Sequence, residues 1–391
     1  MTRMVEHFCT YFDHRYAPKG LAMWRSLKHH LPEATLHILC LTDACFEILQ
    51  ACRLRDVELY RLVDIERANP ALVVARSNRS LFEYYFSLTP CLPLHVWHVH
   101  SDINRITYVD ADVLFFASPR PVFDEIGGSS IGIIEHRFPP HLADLNKYGR
   151  FNVGWLTFRR DHTAISCLET WRSQCLEWCY DRLEDGRFAE QKYLDTWPHT
   201  VPGLRIVQHK GANVAPWNLA SFTLALAEGD LTLDGEPLLF FHAHGFQLAS
   251  PGRTRVSNLE RYGVRETSDI ESALLSPYEA ALSAALMDIA GPLASALLTE
   301  QSRDTHALLE HLTAHVAAIE SDRSARLDAI RLLEERLTAS DSDRAARLDV
   351  ITHLQSELDR EKSRVDALER SRSWRWTRPL RWIAELFRPR L

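Results

Sequence analysis

The run Ile106-Thr-Tyr-Val-Asp-Ala-Asp-Val-Leu-Phe-Phe116 constrains the fold more than any other stretch of the chain. It reads as a buried strand, yet Asp110 and Asp112 interrupt its apolar residues. Ionised carboxylates withdrawn from water cost several kcal/mol unless something compensates them. In an extended segment the i and i+2 side chains share one side, so the two carboxylates would converge while Ala111 points away. Hard oxygen ligands in that arrangement suit Mn²⁺ or Mg²⁺, which leave positions open for phosphate oxygens. The same pattern at Asp341-Ser342-Asp343 lies in a charged, helix-like stretch and reads as solvated surface. The competing reading of Asp110 and Asp112 is a strand end whose aspartates cap a turn.

The chain upstream alternates strand and helix. Strands are expected at residues 5–12, 36–41 and 57–62, with helices at 21–31 and 44–53. Such alternation implies an α/β fold with a mostly parallel sheet and ligands at the carboxyl ends of its strands. Tyr11, Phe12 and Asp13 close the first strand, where they would meet a nucleotide or serve as core and strand-end residues. A helix over 76–90 carries Arg79, whose planar guanidinium could neutralise a diphosphate, although solvated surface arginine is the simpler reading. Further strands are expected at 130–135 and at 151–158, where Asn152 can both donate and accept and Gly154 allows close approach to the backbone. A helix is expected at 163–183. Glu190 and Gln191 then open a helical turn and either face a substrate or sit there because the helix dipole favours them. The sheet is expected to close with residues 238–245, in which His242 and His244 repeat the i, i+2 spacing and Gly245 follows. A neutral imidazole there is a plausible metal ligand.

A length of 391 residues allows one large domain and an appendage. The net charge of −7 argues against a nucleic-acid binder. The eight cysteines show no Cys-x-x-Cys spacing and read as reduced thiols of a cytoplasmic protein. No apolar stretch approaches the ~20 residues that span a membrane.

Tyr108-Val-Asp-Ala-Asp112, Phe151-Asn-Val-Gly154, Glu190-Gln191 and His242-Ala-His-Gly245 occur in the order seen in GT-A nucleotide-sugar transferases. Over about residues 4–265 the chain resembles glycosyltransferase family 8 and its bacterial relatives. The resemblance implies a Rossmann-like GT-A fold. It also implies that Asp110, Asp112 and His242 hold Mn²⁺ or Mg²⁺ and the donor diphosphate, with Asn152 and Gly154 near the sugars and Gln191 near the anomeric carbon. Two departures stand out: Glu190 replaces the family's aspartate, and Phe246-Gln-Leu replaces a Lys-Pro-Trp. Without that lysine, leaving-group stabilisation would fall to the metal, to His244 or to an arginine such as Arg253. The implied partners are a nucleotide-diphospho-sugar donor and a glycan or lipid-linked acceptor in bacterial surface polysaccharide synthesis. The alternatives are a coiled-coil scaffold that binds a nucleotide-sugar without turnover and a metal-dependent sugar-nucleotide phosphohydrolase.

Residues 1–265 are thus expected to form the GT-A domain, 266–304 a helical linker and 305–370 a coiled coil. The coiled coil rests on a heptad with Leu309, Val316, Ile330, Ile351, Leu358 and Val365 at a positions and polar layers between them, which implies a homo-oligomer. The tail, residues 371–391, is rich in arginine and tryptophan. It reads as a peripheral anchor for an anionic membrane at the cytoplasmic face, or as a segment folded onto a neighbouring helix. Tails of similar sequence end many bacterial cell-surface polysaccharide transferases.

Overall fold

The computed structural model describes residues 5–227, 230–248, 254–301 and 341–370. Its framework is a seven-stranded sheet in the order β3-β2-β1-β4-β7-β6-β8. The strands are β1 (His7–Phe12), β2 (Thr35–Cys40), β3 (Val57–Arg61), β4 (Arg105–Val109), β6 (Ile131–Glu135), β7 (Phe151–Arg159) and β8 (Leu204–Val207). The strand β7 runs antiparallel to both of its neighbours, and every other pairing is parallel. The mostly parallel sheet inferred from the alternation of elements is therefore present. Because helices cover both faces, strands such as β2 (TLHILC) are buried almost throughout.

One face packs against α1 (Ala17–His30) and α2 (Asp43–Cys52). The other packs against α3 (Leu62–Ala68), α4 (Ala71–Ser77), α5 (Leu81–Leu88), α6 (Cys91–Val99) and α8 (His162–Glu177). A further helix, α7 (Arg120–Ile126), precedes β6. Local chemistry fixes the boundaries. Thr42 accepts from the Cys45 N–H ahead of α2, Asp161 accepts from Ala164 ahead of α8, and Ser80 with Glu83 forms a reciprocal capping box. That box splits the single helix expected over 76–90 into α4 and α5. The helix expected over 163–183 ends at Glu177, after which Asp185 and Ala189 adopt positive φ.

The run 106–116 is two strands rather than one. β4 lies in the main sheet, whereas β5 (Val113–Phe115) leaves it and pairs antiparallel with β12 (Phe240–His242). Both halves are buried, so the apolar pattern carries no mark of the break between them. β12 consequently does not close the main sheet. A small three-stranded sheet of β9 (Leu224–Ala227), β10 (Asp230–Leu233) and β11 (Glu236–Pro237) precedes it.

The expected linker also departs from its assignment. After α9 (Trp197–Thr200) and the short α10 (Ser268–Ile270), α11 (Ser276–Gln301) buries Tyr278, Leu282, Ala285 and Ile289 in the same core as α1 and α2. Their three- and four-residue spacing is that of one helix face, and each large side chain so buried contributes ~1.5–3 kcal/mol. The compact unit therefore runs well past residue 265. Arg255, paired with Glu266, Glu271 and Glu279, ties the approach to this helix together.

A second unit is represented by the helix Asp341–Arg370, which exposes Leu354, Leu358 and Val365. The rest of the expected coiled coil, residues 305–340, lies outside the described residues, as do Arg253 and the tail 371–391. No helix among the described residues is long and apolar enough to cross a membrane.

Candidate functional site

The order β3-β2-β1-β4 reverses the direction of winding between β1 and β4, and their carboxyl ends open side by side. Crevices at such switch points are where open α/β sheets bind ligands. A cleft of about 1360 Å³ lies there. This exceeds the ~300–1,000 Å³ common for a single small-molecule site and leaves room for two substrates.

Three backbone arrangements bring the polar groups together. Asp110 follows β4, and its N–H donates to the Gly154 carbonyl of β7. The β5–β12 ribbon sets Val113 opposite His242, and the Ala243 N–H donates to the Asp112 carbonyl. As a result His242 Nε2 lies 3.2 Å from an Asp112 oxygen and 3.6 Å from an Asp110 oxygen.

A hydrogen-bond relay orients that imidazole. Asn152 Oδ1 accepts from the Gly154 N–H at 3.0 Å and from His242 Nδ1 at 3.3 Å. Its Nδ2 donates to His136 Nε2, and His136 Nδ1 donates to the Arg150 carbonyl. His242 Nδ1 therefore carries its proton, and Nε2 is turned toward the two carboxylates. Burial lowers the His242 pKa, but Asp112 and Asp110 outweigh burial and raise it. Burial also pushes Asp112 up, yet His242 and Lys19 hold it below the usual carboxylate range, and Lys19 Nζ is 3.8 Å away. Asp110 is raised chiefly by burial, and Tyr108 donates to it at 2.9 Å. Asp112, His242 and His244 hold ligand atoms within 4.8 Å of one another. Two carboxylates and an imidazole pre-aligned by an amide fit a divalent cation, with His244 adjacent. Burial, then His242, pushes the His244 pKa down to about 4, so this ring stays neutral.

Of the residues expected from the sequence, Tyr11, Phe12, Asp13, Asp110, Ala111, Asp112, Asn152, Glu190, Gln191, His242 and His244 all line this cleft. The Tyr11 hydroxyl is bonded to Thr89, while Asp13 accepts from the Arg15 and Tyr16 N–H groups and from the Arg15 guanidinium. Glu190 is buried, its Oε2 has no hydrogen-bond partner among the described residues, and burial raises its pKa well above the ordinary value. Gln191 commits an amide N–H to the Tyr148 carbonyl while lining the cleft.

Three expectations need correction. Arg79 does not line the cleft: its guanidinium donates to Ser87 Oγ and to the Cys175 and Leu176 carbonyls, capping the end of α8. Gly154 does not line the cleft, and what approaches it is protein. A Cβ there would lie 2.5 Å from Asn152 Oδ1 and 2.6 Å from His242 Nδ1. Gly245 does not line the cleft; it makes a turn at φ +72 against Asn258.

Sequence reasoning missed Lys19, His136 and Trp217 as members of the site. Trp217 sets its ring edge-on to His242 and His244, at 5.1 and 5.5 Å between centroids. None of the three carried a signal in the sequence; Gly20, beside Lys19, is required because the Phe12 ring sits where a Cβ would go.

No protein-family model matches the chain. Among solved structures it resembles the galactosyltransferase LgtC in complex with donor and acceptor sugar analogs, at 17% identity and a TM-score of 0.43, covering 71% of this chain and 95% of that one. It also resembles the glycosyltransferase GlyE of Streptococcus pneumoniae TIGR4, at 11% identity and a TM-score of 0.42, covering 72% and 63%. Among curated proteins, the uncharacterized protein YfnD of Bacillus subtilis (strain 168) is 30% identical over 247 residues, which is 62% of this chain and 79% of YfnD. The chain belongs to the same protein family as YfnD.

Proposed function

We propose that the chain is a metal-dependent glycosyltransferase of GT-A type that moves a sugar from a nucleotide-diphospho-sugar to a glycan or lipid-linked acceptor at the cytoplasmic face of a bacterial membrane. One observation carries the reading. Asp110, Asp112 and His242 converge at the switch-point cleft, and Asn152 holds His242 Nε2 toward the carboxylates.

Transfer forms a bond between an acceptor oxygen and the anomeric carbon and breaks the bond from that carbon to a diphosphate oxygen. Negative charge grows on the departing diphosphate, and the acceptor hydroxyl releases a proton. A divalent ion held by Asp110, Asp112 and His242 would neutralise the diphosphate. Lys19, beside Asp112, adds positive charge on the same side. Asn152 fixes the imidazole, while Gln191 and the Glu190 carboxyl supply hydrogen-bonding groups on another wall of the cleft. Burial raises the Glu190 pKa, which favours a hydrogen-bond donor over a charged acceptor at this position. Leu81, Phe82 and Leu183 line the cleft while remaining about half exposed, which supports an acceptor with apolar surface.

The experiment incubates the full chain with Mn²⁺, a panel of nucleotide-sugars and lipid-linked or glycan acceptors, and measures nucleoside diphosphate release and product. Wild type should turn over, whereas Asp110→Ala and Asp112→Ala should lose at least ~100-fold. Normal transfer by either variant would sink the proposal. Release of nucleoside monophosphate would mark a phosphohydrolase, and donor binding without turnover a scaffold. The apolar residues exposed on the helix Asp341–Arg370 support a homo-oligomer formed through that helix.

A further inference from the structure

A second cluster of metal-ligating side chains lies away from the cleft, on the β2–β3 side of the sheet. His37 of β2 and Glu58 of β3 are register partners, so their side chains share one face. His37 stands three residues before the end of its strand, about 10 Å from the carboxyl edge at the rise of a parallel strand. His100, the C-cap residue of α6, reaches the same point from the helical layer. His100 Nε2 lies 2.8 and 2.9 Å from the two Glu58 oxygens, and His37 Nδ1 is 3.8 Å from one of them. The ligand atoms of these three residues fall within 4.8 Å of one another. The Tyr60 hydroxyl sits between the rings, 3.0 Å from His37 Nδ1 and 3.1 Å from His100 Nε2.

From this convergence we infer that His37, Glu58 and His100 form a second metal site, separate from the cleft, that takes a borderline transition-metal dication such as Zn²⁺. Two imidazoles and a carboxylate are the donor set of three-ligand zinc sites, and the fourth position there goes to water. The exposure pattern fits that coordination: His37 is 2% exposed, His100 30% and Glu58 40%, so one side is walled in and the other is open for entry of the ion and a water. The outer shell is also in place. His7 Nδ1 lies 3.2 Å from His37 Nε2, the nitrogen that faces away from the cluster, and sets the orientation of the ring. The ion would take the place of the hydrogen bonds that now join His37, His100, Glu58 and Tyr60, and would link β2, β3 and the end of α6. Its effect is on stability, independent of transfer chemistry.

The test uses the tag-free full chain, stripped with chelator, in an Asp112→Ala background that disables the cleft site. Zn²⁺ is titrated against a chromophoric chelator, and Co²⁺ is used as a spectroscopic probe. The chain should bind one Zn²⁺ beyond any cleft occupancy, with a rise in melting temperature and Co²⁺ visible bands lacking thiolate charge-transfer absorption. His100→Ala and Glu58→Gln should each lower Zn²⁺ affinity by about 10–100-fold or more. Glu58 is the more exposed ligand, so Glu58→Gln decides the matter should His100→Ala fail to fold. Absence of Zn²⁺ binding in the Asp112→Ala chain, unchanged affinity in Glu58→Gln, or a thiolate charge-transfer band would each overturn the assignment.

Discussion

Replacing Gly154 by alanine probes the relay that orients His242. The added Cβ would lie 2.5 Å from Asn152 Oδ1, 2.6 Å from His242 Nδ1 and 2.9 Å from His242 Cε1. Carbon contacts are comfortable at ~3.5–4.0 Å, so each of the two side chains must retreat by roughly 1 Å. Neither has free space. Asn152 is bonded to the Gly154 N–H and to His136, and the His242 ring abuts Trp217. Overpacking of this kind costs ~1–3 kcal/mol of stability. Loss of the Asn152–His242 bond should weaken metal binding by about 10–100-fold, equivalent to ~1.4–2.8 kcal/mol, and a shift of this size at a reacting centre can slow turnover by ~100-fold. Gly132→Ala is the matched control, because a Cβ there meets Ile126 Cδ1, far from the relay. Mn²⁺ titration followed by electron paramagnetic resonance, with thermal melts of both variants, separates the effects. Gly132→Ala should lose stability and keep Mn²⁺ affinity, while Gly154→Ala should lose both. Equal Mn²⁺ affinity in the two variants would refute the relay.

Three other outcomes follow from named contacts. Arg79→Met should cost ~2–3 kcal/mol, because two carbonyls at the end of α8 lose a charged donor, with donor-sugar affinity unchanged; a selective loss of donor affinity in titration calorimetry would restore Arg79 to the site. His136 is held down to about 3 by burial, below its unfolded value near 6.5, so the unfolded chain binds its proton first. Its contribution is full above pH 6.5 and should fall by ~1.4 kcal/mol per pH unit toward pH 3, and His136→Gln should flatten that slope in acid melts. The Glu271 carboxyl is held near 2 by Arg255 and Ser276, below its ordinary value of 4.5, so its contribution is complete above pH 4.5 and is lost as the pH falls through 2. Because Glu271 is partly solvated, Arg255→Leu should remove only about 1 kcal/mol and this acid dependence with it, as read by urea unfolding at pH 7 and pH 3.

The fold and the site differ in how far the sequence exposes them. β1 and β2 were legible because parallel strands buried on both faces give short apolar runs, whereas β3, a half-buried edge strand, showed only as a short run after a helical spacing. The convergence of Asp110, Asp112 and His242 was legible because carboxylates and imidazoles in apolar strands are costly unless something compensates them. The break between β4 and β5 was hidden, since both strands are buried and no glycine or proline marks the turn. The Ala- and Leu-rich α11 read as a linker, although Tyr278 and Ile289 share a helical face that belongs to the core. Gly154 showed that something comes close to it without showing that His242 is the neighbour. Lys19 and Trp217 reach the site from segments distant in sequence, and only the topology brings them there.

The most direct test of the transferase reading is thermal stability with and without Mn²⁺ across UDP-, GDP-, dTDP- and CMP-sugars, for wild type and Asp112→Ala. A ligand at 100 times its Kd stabilises the native state by ~2.7 kcal/mol, and each kcal/mol moves the midpoint of a unit this size by about 2–4 °C. The account predicts a Mn²⁺-dependent rise of several degrees with one nucleotide class, abolished in Asp112→Ala. An absence of any shift across the panel, or an equal shift in Asp112→Ala, would contradict it.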